Sequence, residues 1–283
     1  MSGFKETLSR MLEAALTPTE RALLPTGFQR LGHVIILRLH PDLKEKATLI
    51  GEGVLATVKD CKTVCVNTGE VKGEFRQPQI VYAAGEHQMK VDYTEHGCVF
   101  QFDVTKLMWS QGNMNERKRM YGNVQPGEVV VDFFCGMGYW SIPIAKHAKP
   151  KHVYAIDKNP DAIEAIRTNA KINRIPEKTL TIIHGSCTEE APALGKIADR
   201  VIMGYIPAPA FALSAAFHVI KTEGGMIHYE GVCEEGKYNE LVEDVKKEGI
   251  LQGYECELEH AQQVKSYGPR RYHYTLDIRV KRL

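Results

Sequence analysis

The run Val129-Val130-Val131-Asp132-Phe133-Phe134-Cys135-Gly136-Met137-Gly138 limits what this chain can fold into more than any other stretch. An apolar, β-branched segment ends in an acid, a glycine-rich turn follows, and Trp140 to His147 reads as a helix. Strand, tight loop and helix in that order open the ligand crevice of a doubly wound α/β domain. A second apolar strand, Val153-Tyr154-Ala155-Ile156, ends in Asp157, where a carboxylate can accept both hydroxyls of a ribose.

Each signal has a plain alternative when taken alone. The loop reads equally as an ordinary βα turn. Asp157-Lys158-Asn159-Pro160 reads as the start of a helix, with a cap and a proline in the first turn. A dinucleotide fingerprint asks for a third glycine beneath a pyrophosphate, and here that position is Ser141. S-adenosyl-L-methionine has no pyrophosphate and needs only small residues where the backbone approaches its tail. The two signals together therefore predict a site for that donor, formed by Asp132, Phe134, Cys135, Gly136, Gly138, Asp157 and Lys158.

The remainder of the chain is compatible with such a domain. Its 283 residues suffice for one large or two modest domains, and 43% hydrophobic with 25% charged residues is an ordinary globular balance. No apolar run reaches the length of a membrane span, and the N-terminus has no apolar signal core, so a cytoplasmic protein is expected. Seven scattered cysteines without a C-x-x-C pair read as reduced, buried thiols and give no metal site. A net charge of +1 provides no global pull toward nucleic acid, so any RNA site must be a local basic patch.

Residues 1–108 read as a smaller N-terminal α/β domain. Helical spacing runs over 4–24 and 43–58, and β-rich stretches at 34–39, 63–66, 80–82, 88–93 and 99–102 suggest antiparallel pairing. A linking helix is expected over 115–124. Residues 109–283 alternate strands (128–133, 152–156, 179–184, 199–203, 224–230, 253–262, 272–281) with helices (139–147, 160–173, 209–220, 235–248). That alternation implies a mostly parallel sheet, and the last two strands form a hairpin around Ser266-Tyr267-Gly268-Pro269. The pattern is that of an α/β, Rossmann-like class I methyltransferase fold.

After the third of these strands comes Ile183-His184-Gly185-Ser186-Cys187. Ser186 can bond an adenine amino group and Cys187 can line the ring, or the stretch is a plain polar turn. After the fourth comes Met203-Gly204-Tyr205-Ile206-Pro207, beside the place the sulfonium takes in such folds. Enzymes that methylate amino groups often set Asn or Asp there, followed by proline, to accept from the target nitrogen. Gly204 has no side chain and Ile206 cannot substitute, which disfavours methylation of a base nitrogen.

Several stretches resemble the archaeal enzymes that modify guanosine 37 of tRNA. They are Glu116-Arg117-Lys118-Arg119, the glycine loop, Asp157-Lys158-Asn159-Pro160-Asp161-Ala162, Ala198-Asp199-Arg200-Val201-Ile202-Met203 and Gly224-Gly225-Met226-Ile227-His228-Tyr229. One branch of that group methylates N1 and carries Asn-Leu-Pro after the fourth strand. The other, the wybutosine-synthesising aminocarboxypropyltransferase, carries Met-Gly-Tyr there. This chain has Met203-Gly204-Tyr205, and its Trp109-Ser110-Gln111-Gly112-Asn113 is also similar to the second branch. The resemblance is good from about residue 100 onward and loose before it, and the extra N-terminal domain common in the methylating branch is expected to be missing. Cys135 stands where the family usually has Ala, Asp157 where it often has Glu, and Ser186 and Cys187 where a carboxylate or amide is common.

The resemblance implies transfer of the 3-amino-3-carboxypropyl group of S-adenosyl-L-methionine to C7 of 4-demethylwyosine at position 37 of tRNA-Phe, with methylthioadenosine released. Ser110 and Arg117 are candidates for holding the tail or the RNA. Tyr205 and Arg117 are candidates for catalysis, and Gly204 joins the donor-binding set. No general base is evident, because His184 and His228 read as structural. The anticodon loop of tRNA-Phe is the expected partner, met by Arg117, Lys118, Arg119, Arg270 and Arg271, with Tyr267 and Tyr272 stacking on bases. Each charge reads alternatively as a solvated face. No membrane and no obligate protein partner is expected. Two other functions stay open: a guanosine-37 N1-methyltransferase, and a noncatalytic RNA-binding module on the same fold.

Overall fold

Val34-Ile35-Ile36-Leu37 is apolar at every position because both of its faces are covered. It belongs to the first of two units into which the chain divides. The computed structural model describes residues 3–283. The first unit runs through Thr94 and resumes at Val99–Trp109. Its elements are α1 (Phe4–Met11), α2 (Pro18–Ala22), β1 (Gln29–Leu31), β2 (Val34–Leu37), a 3-10 turn Pro41–Lys46, α3 (Ala47–Thr57), β3 (Thr63–Asn67), β4 (Ile80–Gly85), β5 (Lys90–Glu95) and β6 (Cys98–Asp103).

The stretch of helical spacing over 4–24 forms two helices, divided where Thr17-Pro18 punctuates the sequence. Thr17 breaks it by capping α2, where it accepts the Glu20 N–H, and Pro18 occupies the first helical turn. The sheet order is β1-β2-β3-β4. Antiparallel pairing was the expectation for this unit, yet β2 and β3 run parallel. The helix α3 carries the chain back across the sheet between them, which is the connection that parallel neighbours need. Gly51 of α3 lies against Ala84 of β4, where a Cβ would come within 2.8 Å of the alanine methyl. Leu8, Leu12, Ile35, Leu37, Ile50, Val54 and Val64 form this unit's core.

The second unit comprises Glu95–Cys98 and Ser110–Leu283. Its elements are α4 (Met114–Asn123), β7 (Val129–Asp132), α5 (Ser141–His147), β8 (His152–Asp157), α6 (Pro160–Ile172), β9 (Leu180–His184), α7 (Cys187–Ala193), β10 (Arg200–Met203), α8 (Leu213–Val219), β11 (Gly224–Glu234), α9 (Asn239–Gln252), β12 (Tyr254–Gly268) and β13 (Arg271–Arg282). The strands order as β12-β13-β11-β10-β7-β8-β9. From β11 to β9 all neighbours are parallel, and β13 is antiparallel to both β11 and β12. This is the α/β architecture expected from the sequence. The order reverses between β7 and β10, and a doubly wound sheet opens its ligand crevice at the carboxyl ends of such a pair.

Two local differences have physical reasons. Residues 187–193 form α7, where only a turn was expected, because two glutamates and Pro192 leave just Cys187 and Ala191 as its buried stripe. The terminal hairpin is longer than its apolar pattern and reaches Gly268 and Arg271, with three register shifts along β12. Among the described residues no helix is long and apolar enough to cross a membrane.

Candidate active site

The glycine loop closes off β7. Gly136 and Gly138 have φ of +53° and +96°, a region that side chains avoid. A Cβ on Gly136 would strike the Tyr139 ring, and one on Gly138 would strike Ile142 and approach Ile166. The loop is thus packed too closely for a side chain at either position. The Cys135 N–H donates to the Ile156 carbonyl at 3.0 Å, which ties the loop to β8. Burial holds the Cys135 thiol well above its ordinary pKa.

Asp157 Oδ2 accepts the Gly136 N–H at 2.7 Å, and Oδ1 accepts the Asn159 N–H at 2.8 Å. Burial pushes this carboxyl upward, against those N–H groups and the nearby His184. A carboxylate offers about four lone-pair sites, so Asp157 can brace the loop and still accept a further hydrogen bond. Next to it, Lys158 is exposed, Ser186 Oγ lies 2.7 Å from Thr188 Oγ1, and Cys187 is buried at the start of α7. Burial pushes the Cys187 thiol up to about 12, with Lys158 pulling the other way.

Asp132 is fully buried at the end of β7. Its Oδ2 accepts Ser141 Oγ–H at 2.6 Å and its Oδ1 accepts the Phe134 N–H at 3.4 Å. Burial outweighs both bonds and raises its pKa to about 7, with the charges of Asp157 and Glu230 adding to the rise. In the unfolded chain the group ionises near 3.8. Between those values only the folded state holds the proton, so this group's contribution to stability falls by about 1.4 kcal/mol per unit as pH rises, and levels off above the folded pKa. Asp132→Asn should therefore gain stability relative to the parent from about pH 4 to about pH 7. The difference in urea midpoints across that range measures it, and a constant difference rejects the shift.

Gly204 follows β10 at the other side of the crevice. A Cβ there would lie 2.8 Å from Trp140 Nε1 and 3.7 Å from the Glu230 carboxyl carbon. The indole fills the place into which a side chain at 204 would project. Beside it stand three rings. Tyr205 lies 5.0 Å from Phe134 and 5.6 Å from Phe211, and Phe134 lies 5.9 Å from Phe211, the latter two pairs edge to face. Phe211 is 62% exposed. Trp140, Phe211 and Glu230 were not singled out from the sequence. Trp140 directly follows the loop, which was the one available signal.

Ser110 and Arg117 lie in a different group. Arg117 is 2% exposed, and its guanidinium grips both oxygens of Glu95, with Nη2 at 2.8 Å from Oε2. Nη2 also donates to the Ser110 carbonyl at 3.0 Å. The Ser110 hydroxyl meets Lys265 and Asn113. Arg117 as an RNA contact is therefore corrected: a buried side chain chelating a carboxylate does not reach a phosphate.

Arg119 is corrected on the same ground. Partly buried, it bridges Glu116 and Asp277 and begins a row of paired groups that continues through His228, Arg200 and Glu128, so its guanidinium is already engaged on both sides. Arg200 donates to His228 Nε2, so the ring donates from Nδ1 to Asp277 at 2.5 Å. Burial lowers the His228 pKa, which agrees with that neutral, structural imidazole. Asp277 is held well below the usual carboxylate range by His228 and Arg119 despite its burial. Lys118, Arg270, Arg271 and Tyr267 remain exposed, and Tyr272 is half-buried.

Residues 92–258 match the model of the TRM5/TYW2 methyltransferase domain, and residues 8–88 match that of the TYW2 N-terminal domain. The chain is 36% identical to a tRNA(Phe) (4-demethylwyosine(37)-C(7)) aminocarboxypropyltransferase of Methanocaldococcus jannaschii, over 90% of this chain and 98% of the relative. It is 32% identical to the tRNA (guanine(37)-N(1))-methyltransferase Trm5b of Pyrococcus abyssi, over 92% and 76%. Among solved structures, P. horikoshii TYW2 in complex with MeSAdo superposes with a TM-score of 0.85 at 30% identity, covering 98% of this chain and 99% of that one. Pyrococcus abyssi Trm5b superposes with a TM-score of 0.81 at 32% identity, covering 94% and 79%. With most of its length matched by the family's two domain models and by members of both branches, this chain belongs to the TRM5/TYW2 family of tRNA-modifying enzymes.

Proposed function

We infer that this protein transfers the 3-amino-3-carboxypropyl group of S-adenosyl-L-methionine to C7 of 4-demethylwyosine at position 37 of tRNA(Phe), the reaction named for its relative of 36% identity. One observation carries the choice between the two branches. Position 204 has no side chain, and the Trp140 indole fills the space where one would project. Position 204 itself therefore offers no acceptor to a guanine N1–H, where the methylating branch that the sequence resembles carries an amide side chain.

The residues at the carboxyl ends of β7, β8 and β10 fit the donor. In this reading the tail runs along Gly136 and Gly138, which have no side chains, and Asp157, whose carboxylate braces the loop, accepts the ribose hydroxyls. Ser186 and Cys187 stand at the start of α7 for the adenine, and Lys158, Asp132, Cys135 and Gly204 complete the lining. When bound, the donor supplies a sulfonium that activates the γ-carbon of its tail. The chain's own part is orientation. Phe134 and Tyr205, with Phe211, offer flat apolar faces for a tricyclic base that has left the anticodon stack. Arg117 acts as a positioning residue, by fixing the Ser110 carbonyl. Exposed Lys118, Arg270 and Arg271, with Tyr267, are assigned to the anticodon loop. For residues 1–108, which have a core of their own, we propose a share in docking tRNA.

Incubation with a tRNA carrying the wyosine precursor tests the reading. Chromatography of the spent donor should show methylthioadenosine, and nucleoside mass spectrometry should show an aminocarboxypropyl increment. A predominance of S-adenosylhomocysteine would replace it with N1-methylation of guanosine 37.

A further inference from the structure

Glu230 on β11 pairs in register with Thr275 on β13, and His273 stands two residues before Thr275 on the same face. All three are buried, Glu230 at 3% exposure. His273 Nε2 lies 3.0 Å from Glu230 Oε2. The carboxylate accepts, so Nε2 donates to it. Glu230 Oε1, His273 Nδ1 and Thr275 Oγ1 have no hydrogen-bond partner. Buried polar atoms in folded proteins are nearly always paired, so three together mark a place whose partner comes from outside the chain.

The location narrows what that partner is. The Glu230 carboxyl carbon is 3.7 Å from where a Cβ on Gly204 would sit, beside the Trp140 indole. The group thus borders the gap between β7 and β10, next to the glycine loop. An acceptor-rich set with a carboxylate at its centre repels another carboxylate and suits a group with donors only. A primary ammonium has three donors and no acceptor. We propose that Glu230, steadied by His273, receives the α-ammonium of the amino-acid tail of S-adenosyl-L-methionine. The assignment rests on the donor reading above.

Calorimetry with three ligands separates the possibilities. S-adenosyl-L-methionine and S-adenosylhomocysteine carry the ammonium, and methylthioadenosine has the nucleoside and sulfur without the tail. Glu230→Gln should weaken the first two by about tenfold or more and leave methylthioadenosine within about twofold. Asp157→Ala should weaken all three. A deaminated S-adenosylhomocysteine should bind the unaltered protein about tenfold more weakly than S-adenosylhomocysteine itself, a result that needs no variant to fold. Full affinity of all ligands for Glu230→Gln would overturn the proposal and leave a buried water as the partner, and so would equal weakening of all three. If the unaltered protein binds none of them, the donor reading falls and this assignment with it.

Discussion

Arg117→Ala should lower the unfolding free energy by about 3–5 kcal/mol, the usual cost of removing one partner from a buried ion pair. Arg117 and Glu95 are 2% and 3% exposed at their side chains, and the guanidinium meets both carboxylate oxygens. Truncation leaves the Glu95 charge without water or counterion, and it also frees the Ser110 carbonyl. Denaturant unfolding of the full chain measures the loss. Replacing both partners with apolar residues, Arg117→Met with Glu95→Leu, should restore most of it, because no charge is then stranded. A loss below about 1 kcal/mol for Arg117→Ala would show that the pair is solvated in the protein.

Gly138→Ala should abolish measurable binding of S-adenosyl-L-methionine and cost about 2–4 kcal/mol of stability, from backbone strain and overpacking together. At φ +96° a side chain is strained, and its Cβ would overlap Ile142 and lie 3.1 Å from Ile166 Cγ1. Gly127→Ala is the matched control. Gly127 has φ +87° with nothing within 4 Å of its Cβ position, so it carries the strain without the collision. Binding retained in Gly127→Ala and lost in Gly138→Ala assigns the effect to the loop. Binding retained in both would show that the loop yields around a methyl group.

What could be read from the sequence depended on distance along the chain. The strand, glycine turn and helix at 129–147, and the acid at 157, are local patterns, and the structure has those elements where the pattern set them. The parallel sheet followed from alternation of strands and helices. Pairings set by tertiary contact did not show. Glu95 lies 22 residues before Arg117, and nothing in Glu116-Arg117-Lys118-Arg119 says which charge turns inward. The polar face formed by His228, Glu230, His273, Thr275 and Asp277 has a strict two-residue period, which was visible. Such a period ordinarily means a solvated face. Here α4 supplies Glu116 and Arg119 to it, and that contact is long-range. The β2–β3 pairing was missed for the same reason, since short apolar strands carry no mark of direction.

Trp140 and Gly204 can change only together. A side chain at 204 has no room while the indole is present, and a smaller ring at 140 alone leaves a hollow beside a bare backbone. A single change at either position gives a protein that is overfilled or underfilled there. Both cost stability by themselves. The interlock thus binds the two positions to each other: with the ring and the missing side chain in place, a change at either one alone lowers stability.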